Sequence, residues 1–140
     1  MRPDAPAPVI RIAAAVVIDD RGRTLLVRKR GTSAFMQAGG KLAGGEAPCD
    51  ALRREIREEL GCDLAEAPRP LGRFRAAAAN EAGSVVEADL FMVELLGAIR
   101  PAGEIEDAAW HDPDDIDSRT LAPLTRDHVL PLVRDLRRPL

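Results

Sequence analysis

Aromatic residues are scarce: the chain of 140 residues has no Tyr, one Trp (Trp110) and three Phe (Phe35, Phe74, Phe91). A ring that stacks on a flat ligand must come from those four, and each is equally at home in a core. Block-wise positive charge is also missing. With a formal net charge of −3 and no basic cluster, the chain lacks the electrostatic footprint of a binder of polymeric nucleic acid. Small anionic ligands stay open, provided metal ions or local Arg and Lys offset acidic groups. No apolar run is long enough to span a bilayer and no signal-peptide pattern opens the chain, so the expected partners exclude a membrane and the expected compartment is cytoplasmic. The two cysteines, Cys49 and Cys62, fall on or beside one predicted helix, separated along its length, and read as free thiols rather than a disulfide. His111 and His128 have no metal-site spacing and read as bystanders.

What remains is an ordinary globular composition, long enough for one substantial core. Residues 1–8 (MRPDAPAP) read as an extended tail and residues 9–140 as a single domain. The chain is organised around Gly40–Cys62, GKLAGGEAPCDALRREIREELGC. Gly39, Gly40, Gly44 and Gly45 make a loop whose backbone can approach a ligand closely. Pro48 suits a first helical position, Ala47 to Leu60 has no internal breaker, and Gly61 stands where a C-capping glycine is expected. At 100° per residue Cys49, Leu52, Ile56 and Leu60 share an apolar face. Glu55, Glu58 and Glu59 line an adjoining stripe, and Arg54 lies at i, i+4 to Glu58. Three carboxylates on one stripe repel each other unless a cation sits among them; either a hard divalent ion does this or the face is solvated and paired with Arg54 and Arg57.

The full spacing shifts the balance between these. Gly40, five residues, Glu46, seven residues, then Arg54-Glu55-Ile56-x-Glu58-Glu59-x-Gly61 resembles the Nudix box, GX5EX7REUXEEXGU, seven of whose positions demand one residue type. A chance match in a chain this short has a probability on the order of one in a million. Cys62 replaces the usual aliphatic residue at the end, a change that keeps a small buried hydrophobe there. Gln37-Ala38-Gly39-Gly40-Lys41 is similar to the family's PGGK loop, with Ala38 for Pro.

The resemblance implies an α/β Nudix fold, an α/β/α sandwich with a mixed central sheet. It implies a pyrophosphohydrolase for a nucleoside diphosphate linked to another group, using Mg²⁺, with Mn²⁺ as the alternative. Glu55, Glu58 and Glu59 are then the metal ligands, with the Gly39 carbonyl and a further Glu from the loop before a Trp strand. Counting back from Trp110 gives Glu104, with Glu106 as fallback. Glu58, Glu59 and Glu104 are the unranked candidates for general base, and Arg54 joins the catalytic set as the residue that holds the helix face in shape by pairing with Glu46 or a motif carboxylate. Arg30, last in the second strand, and Lys41 are expected at substrate phosphates. The likeness to small MutT-type members points to (d)NTPs, oxidised purine forms included, cleaved to monophosphate and pyrophosphate. It places base recognition at Arg126 or Asp127, which as residues alone read equally well as a surface ion pair and a helix cap. ADP-ribose or another nucleotide sugar is the rival substrate. A non-catalytic nucleotide sensor is the rival class, and the intact carboxylates argue against it. An isoprenoid diphosphate isomerase would need a longer chain with flanking Cys and Glu elements. The family includes both monomers and homodimers.

The remaining segments read as strands at Val9–Ile18, Thr24–Arg30, Leu71–Ala79 and Val85–Leu95, the last two a hairpin about Asn80–Gly83. Glu87 and Asp89 are expected to be solvated rather than turned toward the site. Gly97–Ala109 reads as a loop, Trp110 as the start of a short extended piece, Asp112–Asp115 as a helix start. Thr125–Arg138 reads as the closing helix, with Pro131 either kinking it or setting its true first turn.

Overall fold

The computed structural model describes residues 6–137. In chain order these form β1 (Val9–Val16), β2 (Thr24–Lys29), β3 (Phe35–Met36), β4 (Gly39–Lys41), α1 (Pro48–Leu60), β5 (Asp63–Leu64), β6 (Arg69–Ala77), β7 (Val85–Met92), β8 (Leu95–Leu96) and β9 (Ile105–His111). A closing helix follows, in which a π-helical turn over Thr125–Val129 leads into α2 (Leu130–Leu136).

A strand whose successive side chains are all apolar has to be covered on both faces. The run Ala13 to Val16 in β1 does this. Ala13 and Ala15 pack with Leu52, Ile56 and Leu60 of α1, while Ala14 and Val16 pack with Leu124, Val129 and Val133 of the closing helix. The result is an α/β/α sandwich. Its main sheet has the order β4-β1-β7-β6, parallel between β1 and β7 and antiparallel elsewhere. A second sheet, β3-β2-β9, is antiparallel and contributes Leu25, Val27 and Ile105 to the α1 side of the core. α1 begins with Pro48 and ends at Gly61, whose φ of 67° and N–H to the Arg57 carbonyl make the expected C-cap. Cys62 is buried beneath it and both thiols are free.

Several local expectations are corrected. Ile105–Ala109 is strand rather than loop, because β9 pairs along β2 from Lys29 to Thr24, and Trp110 stands next to last in it. Leu95–Leu96 leaves the hairpin to pair with β5. Asp112–Asp115 is a turn: the Asp112 carboxylate accepts the Asp114 N–H, and Asp115 accepts from Asp117 and Ser118, which diverts the backbone from a helix. The closing helix starts wide because Pro131 has no N–H to donate four residues back; the Leu130 N–H reaches Thr125 instead, and Pro131 sits in the first turn of α2. The expected tail is described only from residue 6, and Arg138 lies outside the described residues.

Glu87 and Asp89 are held in ion pairs rather than solvated. They stand half-buried on β7 between strands of opposite charge. Arg11 of β1 and Arg73 of β6 both reach Asp89, at 2.7 and 3.0 Å, and Arg75 bonds Glu87 at 2.7 Å. Cross-strand pairing of this kind lets acidic side chains occupy an inner strand.

Candidate active site

α1 delivers Glu55, Glu58 and Glu59 to one side of the sandwich because helical neighbours at i, i+3 and i+4 share a face. The loop before β9 meets them there. Its Arg100 and Ala102 N–H groups bond the Leu60 and Glu59 carbonyls, using acceptors that the last turn of a helix leaves open, and this carries Gly103 and Glu104 over the helix end. Glu55, Glu58, Glu59, Gly103 and Glu104 together line a cavity of about 420 Å³. Glu106, the fallback, points elsewhere and pairs with Arg30 at 3.2 Å.

The glycine loop is fitted to these carboxylates. Gly39 has φ of 147°, and a Cβ there would overlap the Ala13 carbonyl oxygen. Its N–H donates to Glu59 Oε1 at 2.8 Å. A Cβ on Gly40 would stand 2.5 Å from the carboxyl carbon of Glu55. Glu59 is 6% exposed, and burial pushes its pKa up to about 7, against the lowering by the Gly39 N–H. Arg54 bonds both Glu46 oxygens at 3.0 and 2.9 Å, Glu55 at 2.8 Å, and lies 3.6 Å from Glu58. Its guanidinium holds the Glu46 carboxyl down to about 2. Loop and helix are thereby tied through one side chain.

The donor set is composed of carboxylate oxygens, which suits a hard divalent cation such as Mg²⁺ or Mn²⁺. Among the described residues no three of these groups meet at one point, and the Arg54 guanidinium supplies the positive charge between Glu55 and Glu58.

Adjoining the acidic cavity, and sharing Glu104 with it, is one of about 410 Å³ lined by Lys29, Arg30, Thr32, Asn80 and Glu81. Lys29 Nζ stands 3.7 Å from Glu104, and Arg30 donates to the Gly103 carbonyl at 3.3 Å. A narrower passage continues past Lys29, Gly40 and Lys41, the last paired with Glu81 at 3.1 Å. It ends in a small apolar cavity walled by Ile12, Ala14, Met36, Val86 and Leu124, with Gln37 and Thr125.

The structure therefore brings Gly39, Lys41, Arg30, Arg54, Glu55, Glu58, Glu59 and Glu104 into one region. It does not bring in Arg126 and Asp127. Both are exposed and bond each other, at 2.9 and 3.1 Å, while the wide first turn directs their neighbour Thr125 inward. His128 lies against Phe74, and His111 is buried between Arg119 and the Asp115 carbonyl. Of Arg28, Lys29 and Arg30, sequence reasoning chose Arg30 for the phosphate, and it gave no role to Gln37 or Thr125. For Gln37 a signal exists: it is a polar residue between Met36 and Ala38 in an otherwise apolar approach to the glycines.

The NUDIX domain family model matches residues 9–133. The chain belongs to the Nudix family. It is similar over 99 residues, at 32% identity, to an uncharacterized Nudix hydrolase of Streptomyces coelicolor; the match covers 66% of this chain and 52% of that one. An 8-oxo-dGTP diphosphatase of Haemophilus influenzae is 35% identical over 57 residues, covering 38% of this chain and 42% of the relative. The matched region thus spans about half the length of these curated relatives. A solved NUDIX hydrolase of Nitrosomonas europaea superimposes with a TM-score of 0.72 at 26% identity, covering 97% of this chain and 94% of that one. Nudix hydrolases generally use divalent metal ions and act on small nucleotide substrates. No helix among the described residues is long and apolar enough to cross a membrane.

Proposed function

We propose that this Nudix hydrolase is a Mg²⁺-dependent pyrophosphohydrolase that converts a (d)NTP to the monophosphate and pyrophosphate. One observation carries the reading: the cavities adjoin in the order acidic, basic, apolar. That is the order of a metal-bound outer diphosphate, the inner phosphate that joins it to the sugar, and a nucleobase. Glu55, Glu58, Glu59 and Glu104, with the Gly39 carbonyl, would hold the cation. Bound there, it would neutralise phosphate oxygens and lower the pKa of a water.

The chain's own groups do the rest. Lys29, Arg30 and Lys41 set positive charge beside the phosphates, and Arg54 keeps Glu55 and Glu58 oriented while tying the loop to α1. Glu58, Glu59 or Glu104 takes the proton of the attacking water. The apolar end shields a base from solvent. The name of the Haemophilus influenzae relative supports including 8-oxo-dGTP among the substrates tried.

Product analysis with Mg²⁺ tests this on a panel of dNTPs, 8-oxo-dGTP, ADP-ribose and dinucleoside polyphosphates. Monophosphate plus pyrophosphate from a triphosphate is expected, with kcat falling about 10²- to 10⁴-fold in Glu58→Gln. AMP plus ribose phosphate from ADP-ribose, with triphosphates untouched, overturns the substrate assignment. Nucleotide binding without any turnover overturns the catalytic reading in favour of a sensor.

A further inference from the structure

Among the side chains of the described residues, only Gln37 and Thr125 bring hydrogen-bonding groups to the apolar end of the channel. They belong to opposite parts of the chain, 88 residues apart, and both are buried, at 6% and 0% exposure. Thr125 Oγ1 donates to Gln37 Oε1 at 2.9 Å, which occupies the acceptor of the amide and orients it. The amide nitrogen, Nε2, is sealed from water and has no hydrogen-bond partner among the described residues. A native protein satisfies nearly all its buried polar groups, because a donor left without an acceptor costs free energy. An unmet donor at the wall of a cavity specifies what the cavity is short of: an acceptor.

We propose that Gln37 reads the nucleobase, donating from Nε2 to an exocyclic carbonyl, so that the site takes keto-edged bases (6-oxopurines and 4-oxopyrimidines) over amino-edged ones (adenine and cytosine). This rests on the reading of the apolar cavity as the base site of the proposed hydrolase. A carbonyl oxygen that displaces the atoms covering Nε2 gains a hydrogen bond without stripping water from the amide, whose desolvation is complete before the ligand comes. An exocyclic amino group there sets donor against donor and leaves both unsatisfied, the condition under which polar sites discriminate most. Among the described residues no other side chain competes at this end, since the carboxylate along the passage, Glu81, is engaged by Lys41. Thr125 is a positioning residue: without its hydroxyl the amide is free to turn over and present Oε1.

The test compares dITP with dATP, whose bases differ only at the edge in question, by kcat/KM with Mg²⁺, and dIMP with dAMP by calorimetric binding. Wild type is expected to prefer dITP by about tenfold or more. Gln37→Glu, which puts an acceptor where the NH₂ stood, is expected to move the ratio at least about tenfold toward dATP. Gln37→Met and Thr125→Val are expected to bring it toward one; they serve if the buried carboxylate of Gln37→Glu prevents folding. A packing role would lower both substrates together and leave the ratio unmoved. Equal use of the two by wild type, a preference for dATP, or a ratio unchanged by all three variants overturns the proposal. If triphosphates are cleaved without such a preference, the hydrolase reading survives and Gln37 falls. If wild type binds dIMP over dAMP yet cleaves neither triphosphate, the hydrolase reading falls and Gln37 stands. If it neither binds nor cleaves, both fall.

Discussion

Two glycines and one glutamate set the tolerances of the site. A Cβ at Gly39 meets backbone, and the positive φ strains any other residue there, so Gly39→Ala is expected to cost about 3 kcal/mol of stability in urea denaturation. A Cβ at Gly40 meets only the movable end of Glu55. Gly40→Ala should therefore keep its melting temperature within a few degrees while turnover falls, because Glu55 is displaced. Glu59 gives a pH signature. Its folded pKa of about 7 lies above the unfolded carboxyl value, so the native state binds more protons between about pH 4.5 and 7. Stability of the metal-free protein should fall as pH rises through that window, by up to about 3 kcal/mol, and level off above it. Urea titrations at several pH values check this; the slope should disappear in Glu59→Gln.

At the scale of elements, Arg54 is the clasp between the glycine loop and α1. Arg54→Ala is expected to lower stability by only about 1 kcal/mol, since its pairs are partly open to solvent, and to reduce kcat more than it changes KM. β1 and α1 were legible in the sequence because their signals are local. An unbroken apolar run means a strand buried on two faces, and Pro48 and Gly61 punctuate the helix with their own backbone preferences. β9 was not. Only Ile105 marks its start, the acids Glu106 and Asp107 face outward, and its partner β2 is about 80 residues away along the chain. The turn at Asp112–Asp115 looked like a helix start for a related reason: aspartates that cap helices also close turns on their own N–H groups. At the site, the box residues could be placed from their spacing alone. Gln37 and Thr125 could not, because their bond exists only once β3, β4 and the closing helix have assembled.

On the scale of the whole molecule, two cores on either face of one sheet hold the fold without any ion. EDTA is therefore expected to abolish turnover while far-UV circular dichroism at neutral pH keeps its native shape, and added Mg²⁺ to raise the melting temperature in proportion to its binding. Truncating either core should unfold the sandwich as a unit. Leu52→Ala on the α1 side and Leu90→Ala on the other are each expected to cost about 2–5 kcal/mol.

The arginines of β6 have a consequence outside the site. β6 is the outer strand of the main sheet, so one row of its backbone donors and acceptors has no neighbouring strand. A strand added there by a second molecule would extend the sheet and begin a fibre. Arg69, Arg73 and Arg75 stand exposed along that border, Pro70 offers no N–H, and the irregularity between Pro70 and Gly72 breaks its register. Two copies approaching rim to rim would bring like charges together over a bent template. The side chains that neutralise Glu87 and Asp89 within one molecule thus also keep its neighbours at a distance.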